Sequence, residues 1–282
     1  MTAIGANIWI WDSPITDRAI AEIAPRVQAL GFDLIELPVE EPGAWDPDRA
    51  ADLLAELGLG AGLCCVMPPG RDLAVSDGEV VAATVEYLRH CVDVAATLGS
   101  PVVAGPMYAA VGRVWRLAEG ERPSVLARVA EGLLPVAEHA AERGVKLAIE
   151  PLNRYETSLI NTVEQGLELL EAADHPACGL LLDSFHMNIE EKDPAAAARA
   201  AGERIAHVHA CGTDRGAPGA DVFGWEAFLA ALGEAGYEGP MCIESFTAAN
   251  EVIATAASIW RPLAPSPDAL AGDGLAFLRA NT

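Results

Sequence analysis

Four short apolar runs in the second half of the chain carry, at or near their ends, a side chain able to bind a cation or move a proton. They are Glu150 in Ala-Ile-Glu-Pro, Asp183 in Leu-Leu-Asp-Ser-Phe-His, His209 in His-Val-His-Ala and Glu244 in Cys-Ile-Glu-Ser. If these runs are strands, side chains alternate faces, and Ala148 with Glu150, Leu181 with Asp183, His207 with His209 and Cys242 with Glu244 form the inward sets. Three carboxylates and an imidazole then converge, with small or apolar residues beneath them. Their mutual repulsion in a partly desolvated pocket would cost several kcal/mol without a counter-ion. A divalent cation removes the conflict, and three oxygen donors with one nitrogen and no thiolate suit Mn²⁺, Mg²⁺ or Co²⁺ better than a structural Zn²⁺. Any one of these acids alone reads equally well as a strand-end residue paired with arginine or capping a helix. Four at equivalent positions favour the metal.

The elements that would position them alternate along the whole chain. Eight β-rich runs fall near Ile4 to Ile10, Leu34 to Leu37, Gly60 to Val66, Val102 to Gly105, Lys146 to Glu150, Gly179 to Asp183, Ile205 to Ala210 and Met241 to Ser245. Helical periodicity fills the gaps, over Asp17 to Leu30, Asp48 to Leu57, Glu79 to Leu98, Ser124 to Arg143, Thr162 to Ala173, Pro194 to Ala201, Trp225 to Ala235 and Asp268 to Arg279. Gly31, Gly58, Gly99, Gly144 and Gly236 fall where helices must stop, and Thr162 with Gln165 reads as a capping box. Eight strand–helix units over 282 residues predict a single (β/α)₈ TIM barrel spanning residues 1–282, an α/β fold with its active site at the C-terminal strand ends. A doubly wound open sheet would want a Gly-rich phosphate turn after the first strand, and none is present.

Composition narrows the partners. Acidic residues number 41 against 18 basic ones, a formal charge of −23, and only Lys146 and Lys192 are lysines. Nucleic acid and anionic membranes are therefore not expected partners. The six cysteines form no C-x-x-C pair and mostly lie in apolar runs, as buried reduced thiols of a cytoplasmic protein would. The N-terminal stretch has no basic region and only a short apolar segment, so neither a signal peptide nor a transmembrane span is expected.

The stretches 150–162 (Glu-Pro-Leu-Asn-Arg-Tyr-Glu-Thr-Ser-Leu-Ile-Asn-Thr), 182–191 (Leu-Asp-Ser-Phe-His-Met-Asn-Ile-Glu-Glu), 207–219 (His-Val-His-Ala-Cys-Gly-Thr-Asp-Arg-Gly-Ala-Pro-Gly) and 243–246 (Ile-Glu-Ser-Phe) closely resemble the ketose 3-epimerases. These are the D-tagatose and D-psicose (allulose) 3-epimerase group of xylose-isomerase-like sugar isomerases. Ile-Trp-Arg at 259–261 resembles the same group. The resemblance implies one divalent metal, Mn²⁺ foremost with Co²⁺ or Mg²⁺ as alternatives, held by Glu150, Asp183, His209 and Glu244. It also implies that Glu156, His186 and Arg215 bind the first carbons and oxygens of a ketose substrate. Trp11 and Cys65 occupy positions similar to those that wall the far end of the sugar in the family. A homodimer or homotetramer is the expected assembly. After His209 the run Ala-Cys-Gly-Thr-Asp-Arg lacks the glutamate and amide common in the family's substrate loop.

The chemistry so implied removes a proton from C3, beside the C2 carbonyl, and returns one to the other face. Charge developing on O2 must be stabilised, which metal coordination of O2 and O3 does while holding a cis-enediolate. Two bases on opposite faces are needed, and Glu150 and Glu244 are assigned to them. An aldose–ketose isomerase or a lyase acting on a 3-oxo-glycoside would use the same proton abstraction. A nuclease of the endonuclease IV kind would need metal-binding histidines at strands three and four, where the chain reads Cys-Cys-Val-Met-Pro and Val-Ala-Gly-Pro. A non-catalytic sugar- or metal-binding barrel would not need two facing carboxylates. His207, one layer below His209, reads as hydrogen-bonded support, and Asn7 and Glu36 as polar strand-end residues without an evident partner. His90, His139 and His175 fall in helices or turns, and Trp225 reads as packing.

Overall fold

The computed structural model describes residues 2–282. Eight parallel strands, β1 (Ile4–Asn7), β2 (Leu34–Val39), β3 (Gly60–Cys65), β4 (Val102–Gly105), β5 (Lys146–Ile149), β6 (Cys178–Asp183), β7 (Ile205–Ala210) and β8 (Met241–Ile243), close in sequence order, β8 pairing back onto β1. Around them run α1 (Asp17–Leu30), α2 (Pro47–Leu57), α3 (Gly78–Leu98), α4 (Arg122–Arg143), α5 (Val163–Ala173), α6 (Ser184–Glu190), α7 (Pro194–Ala201), α8 (Trp225–Glu234), α9 (Glu251–Ala256) and α10 (Pro267–Asn281). No helix among the described residues is long and apolar enough to cross a membrane.

Helix α1 shows how the outer layer forms. Thr16 accepts the Ala19 N–H at its start, Gly31 closes it in the left-handed region at φ 93°, and Ile20, Ile23, Ala24 and Val27 line one buried face at helical spacing. That face packs on the outward side chains of the strands. On β6, Leu180 and Leu182 point outward into this layer, whereas Leu181 joins Cys64, Val102, Ala104 and Ala148 in a separate cluster inside the barrel. Strand parity therefore divides core from lumen as the alternation predicts.

Three local features depart from expectation. The first strand ends at Asn7 and the chain coils into a 3₁₀ turn over Ile8–Ile10 instead of running extended to Ile10. Two short helices, α6 and α9, are too brief to leave a periodic trace; each starts on a side-chain cap, Asp183 and Asn250 respectively. The capping box at α5 is half formed. Thr162 Oγ1 accepts the Gln165 N–H at 3.3 Å, but Gln165 Oε1 takes the Asn161 N–H at 2.7 Å.

Candidate active site

The C-terminal strand ends bring Glu150, Asp183, His209 and Glu244 together, each buried and each offering one donor atom within 4.8 Å of the others. Register explains the convergence: Asp183 pairs with His209 across β6 and β7, and His209 with Cys242 across β7 and β8, so Glu244 stands two residues beyond on the same face. The aspartate also starts α6, its Oδ1 accepting the Phe185 N–H at 2.6 Å and the His186 N–H at 3.3 Å. Strand thus passes into helix without a loop, which fixes His186 above the cluster.

The donor set fits a cation. Glu150 Oε1 and His209 Nδ1 are buried without a hydrogen-bond partner, an arrangement that costs free energy unless something else satisfies those atoms. Oxygen ligands about 2.1 Å from one small ion stand about 3.0 Å apart when adjacent and about 4.2 Å when opposite, so donor atoms that all lie within 4.8 Å of one another can close on a single ion by small side-chain movements. The electrostatics agree. Burial pushes the Glu150 carboxyl well above the usual carboxylate range, and Glu244 and Asp183 beside it push it further. Burial likewise raises Asp183 to about 6 against the pull of Arg215. Burial would raise Glu244 too, but His209 and Arg215 outweigh it and hold that carboxyl below its ordinary value. Without a cation, then, the cluster retains protons to limit its own repulsion.

The other expected site residues gather on the same space. Asn153 donates its backbone N–H to His186 Nδ1 at 3.0 Å, so the neutral imidazole carries its proton on Nε2. That nitrogen is 3.5 Å from Glu150 Oε1 and 3.2 Å from Arg215 Nη2. Burial, with Arg215 and His209 nearby, lowers the His186 pKa well below the usual imidazole value, which keeps the ring neutral. The Asn153 side-chain amide reaches Glu156 Oε1 at 2.7 Å, so one buried amide residue, not singled out from sequence, orients both. Arg215 sits between Asp183 Oδ2 (3.2 Å) and Glu244 Oε2 (3.3 Å), flanked by the rings of Phe185 and Phe246. Its backbone is left-handed at φ 69°, closed by its N–H to the Gly212 carbonyl and its carbonyl to the Phe246 N–H. A non-glycine residue in that region carries backbone strain, which these two hydrogen bonds hold in place.

Glu150, Glu156, His186, His209, Arg215 and Glu244 line a cavity of about 410 Å³, and its wall includes Cys65 together with Trp9, Phe246 and Ile253. Trp11 is a correction. It does not line the cavity; its indole N–H is donated to Asp268 on α10 at 2.7 Å. The 3₁₀ turn rotates Trp11 outward and leaves Trp9 facing in, where Glu40 holds the Trp9 indole N–H at 3.1 Å. Glu36 is the second residue undervalued from sequence. It is fully buried beneath the cluster and touches both His207 and His209.

Comparison with known proteins matches the geometry. Residues 24–281 fit the family model of the xylose isomerase-like TIM barrel. A probable ketose 3-epimerase from Synechocystis sp. is 39% identical over 277 residues, covering 98% of this chain and 95% of that protein. The chain belongs to the ketose 3-epimerase family. The D-allulose 3-epimerase from Methylomonas sp. superposes with a TM-score of 0.92 at 32% identity, covering 100% of this chain and 98% of that one. The same enzyme in complex with D-allulose superposes at 0.90 and 31% identity, covering 100% and 97%. As a ketose 3-epimerase relative, the chain has its cluster of acids and its cavity where a barrel of this kind carries out its chemistry.

Proposed function

We infer that this protein, an isomerase acting on a ketose, inverts C3 of a free sugar with one divalent cation at Glu150, Asp183, His209 and Glu244. Mn²⁺ is the first choice, with Co²⁺ or Mg²⁺ as alternatives, and Glu150 and Glu244 are the two bases. The observation that carries this reading is the pair of buried, unpartnered atoms, Glu150 Oε1 and His209 Nδ1, inside a four-donor cluster at the base of the cavity. A cation bound there supplies Lewis acidity to the ketose oxygens.

The protein's own groups do the rest. Glu150 and Glu244 come from β5 and β8 and flank Asp183 and His209, so they approach a bound ketose from two sides. One, ionised, removes the C3 proton while the other, protonated, delivers its own to the opposite face, with roles exchanged in reverse. The His186 Nε2–H and the Arg215 guanidinium face the cavity as donors to substrate oxygens, with Glu156 beside them. Phe246 and Ile253 in the wall exclude water, which strengthens these interactions. A free sugar is preferred over a phosphorylated one. Among the described lining residues Arg215 is the one arginine or lysine, and two carboxylates already engage it.

Incubation with D-fructose, D-psicose or D-tagatose and Mn²⁺ in D₂O is expected to interconvert C3 epimers and place deuterium at C3, read by chromatography and proton NMR. No interconversion and no C3 exchange with any ketose would overturn the proposal.

Metal binding is expected to release protons. Burial holds Asp183 at about 6 and Glu150 above the usual range; His209, lowered by burial, is raised beyond that by Glu36 and Glu244. Each raised group binds a proton more readily as pH falls, and that proton must leave before the cation enters. Mn²⁺ affinity is therefore full at alkaline pH and falls on acidification through the raised pKa values, by about tenfold per unit for each proton displaced. Titration calorimetry at pH 6 and 8, in buffers of different ionisation enthalpy, measures this. A pH-independent affinity would mean that other groups bind the metal.

A further inference from the structure

Beneath the cluster, Glu36 of β2 is a hub. Its Oε2 accepts from His209 Nε2 at 2.9 Å and from Asn7 Nδ2 at 2.9 Å, and its Oε1 accepts from His207 Nε2 at 2.9 Å. The Asn7 amide has no freedom to turn around, because its Oδ1 takes the Trp9 N–H at 3.0 Å. Room for the carboxylate comes from β3, where a Cβ at Gly62 would stand 3.2 Å from Glu36 Oε1. Glu36, His207 and Cys242 also cluster closely enough to suggest a second metal site. Both carboxylate oxygens of Glu36 are, however, already filled by N–H donors.

We propose that Glu36 is a positioning residue for His209: by accepting the Nε2–H it fixes the tautomer that leaves the Nδ1 lone pair turned toward Glu150, Asp183 and Glu244. The geometry is consistent at both ends of the ring. His209 Nε2 is saturated by Glu36, while Nδ1 is buried, without a hydrogen-bond partner, and 3.6 Å from Glu244 Oε1. An ionised carboxylate behind an imidazole makes the forward nitrogen a stronger donor and stops the ring from turning over. His207 takes the other oxygen and its ring meets that of His209 edge-on at 5.1 Å, so the two imidazoles brace the carboxylate from one strand. This inference rests on the metal site proposed above and assigns the element that prepares it.

The substitution Glu36→Gln separates preparation from packing. The amide keeps the shape and can still accept from His209 and Asn7 through its oxygen, with its NH₂ turned to His207, but the charge is gone. Glu36→Gln is expected to bind Mn²⁺ about 10- to 100-fold more weakly by calorimetry, with the KM of the metal-saturated enzyme for its ketose changed little. Wild-type Mn²⁺ affinity in this variant would overturn the proposal, whatever its melting temperature. A measurement on the unaltered protein guards against a variant that does not fold. In Mg²⁺-loaded wild type, imidazole ¹⁵N NMR is expected to show His209 protonated on Nε2 and not on Nδ1; the reverse tautomer overturns the proposal. Failure of the wild type to bind any divalent cation would overturn the metal site itself, whereas equal affinities of wild type and variant would overturn the role of Glu36 alone.

Discussion

Glu150→Gln and Glu244→Gln are each expected to abolish interconversion of the C3 epimers while leaving hydrogen exchange at C3 in one epimer only. The amide keeps an oxygen donor for the cation, so the substitution removes basicity more than shape. Loss of a positioned acid–base group costs about 10² to 10⁴ in rate, and the weakened ligand adds to it. The asymmetry is the decisive part. If each carboxylate serves one face, Glu150→Gln retains exchange from the epimer whose C3 hydrogen faces Glu244, and Glu244→Gln retains it from the other. Proton NMR of each pure epimer in D₂O, with metal content measured alongside, reads this directly. Exchange from both epimers in either variant at the wild-type rate, metal retained, would sink the two-base assignment. Loss of exchange from both epimers in one variant and its retention from both in the other would point instead to a single base with a mobile substrate.

The convergence of the four donor side chains was legible because it depends on two simple periodicities. Alternation along a strand places Glu150 two residues from Ala148 and Asp183 two from Leu181, and the strand–helix repeat sets all four donors at the same end of the barrel. Glu36 obeys the same alternation, yet its partners lie 171 and 173 residues away on β7. Nothing local marks a buried glutamate that meets two histidines only when the barrel closes. Trp11 fails for a different reason. Parity along an extended first strand offers Trp9 and Trp11 to the lumen equally, and it is the 3₁₀ turn after Asn7 that separates them. Asn7 drives that turn by accepting the Trp9 N–H, a local competition between side chain and ladder that periodicity does not report. Asn153 escaped notice because its loop carries no period at all; its value lies in holding His186 and Glu156 at once.

Arg215→Met is expected to destabilise the metal-free protein far more than the metal-loaded one. The guanidinium stands between Asp183 and Glu244, 3.2 and 3.3 Å away, with all three side chains buried. Removing one partner of a buried ionic group leaves the others uncompensated, at a cost of about 3–5 kcal/mol. At roughly 2–4 °C per kcal/mol for a chain somewhat smaller than this one, thermal unfolding in chelator should move down by about 6–20 °C. Saturating Mn²⁺ places a second source of positive charge beside the same carboxylates, so it should recover most of that shift and stabilise the variant by more than it stabilises wild type. Catalysis does not recover with it, because the cation cannot replace the planar donor that Phe185 and Phe246 hold against the cavity. A loss of about 10² or more in kcat/KM is expected to remain with metal bound. Arg215→Lys keeps a charge without the fork, and should therefore regain stability in chelator while staying catalytically poor. Differential scanning fluorimetry with and without Mn²⁺, beside steady-state rates, separates the two effects. Equal destabilisation of the variant in both conditions would show that Arg215 balances no charge at the metal cluster.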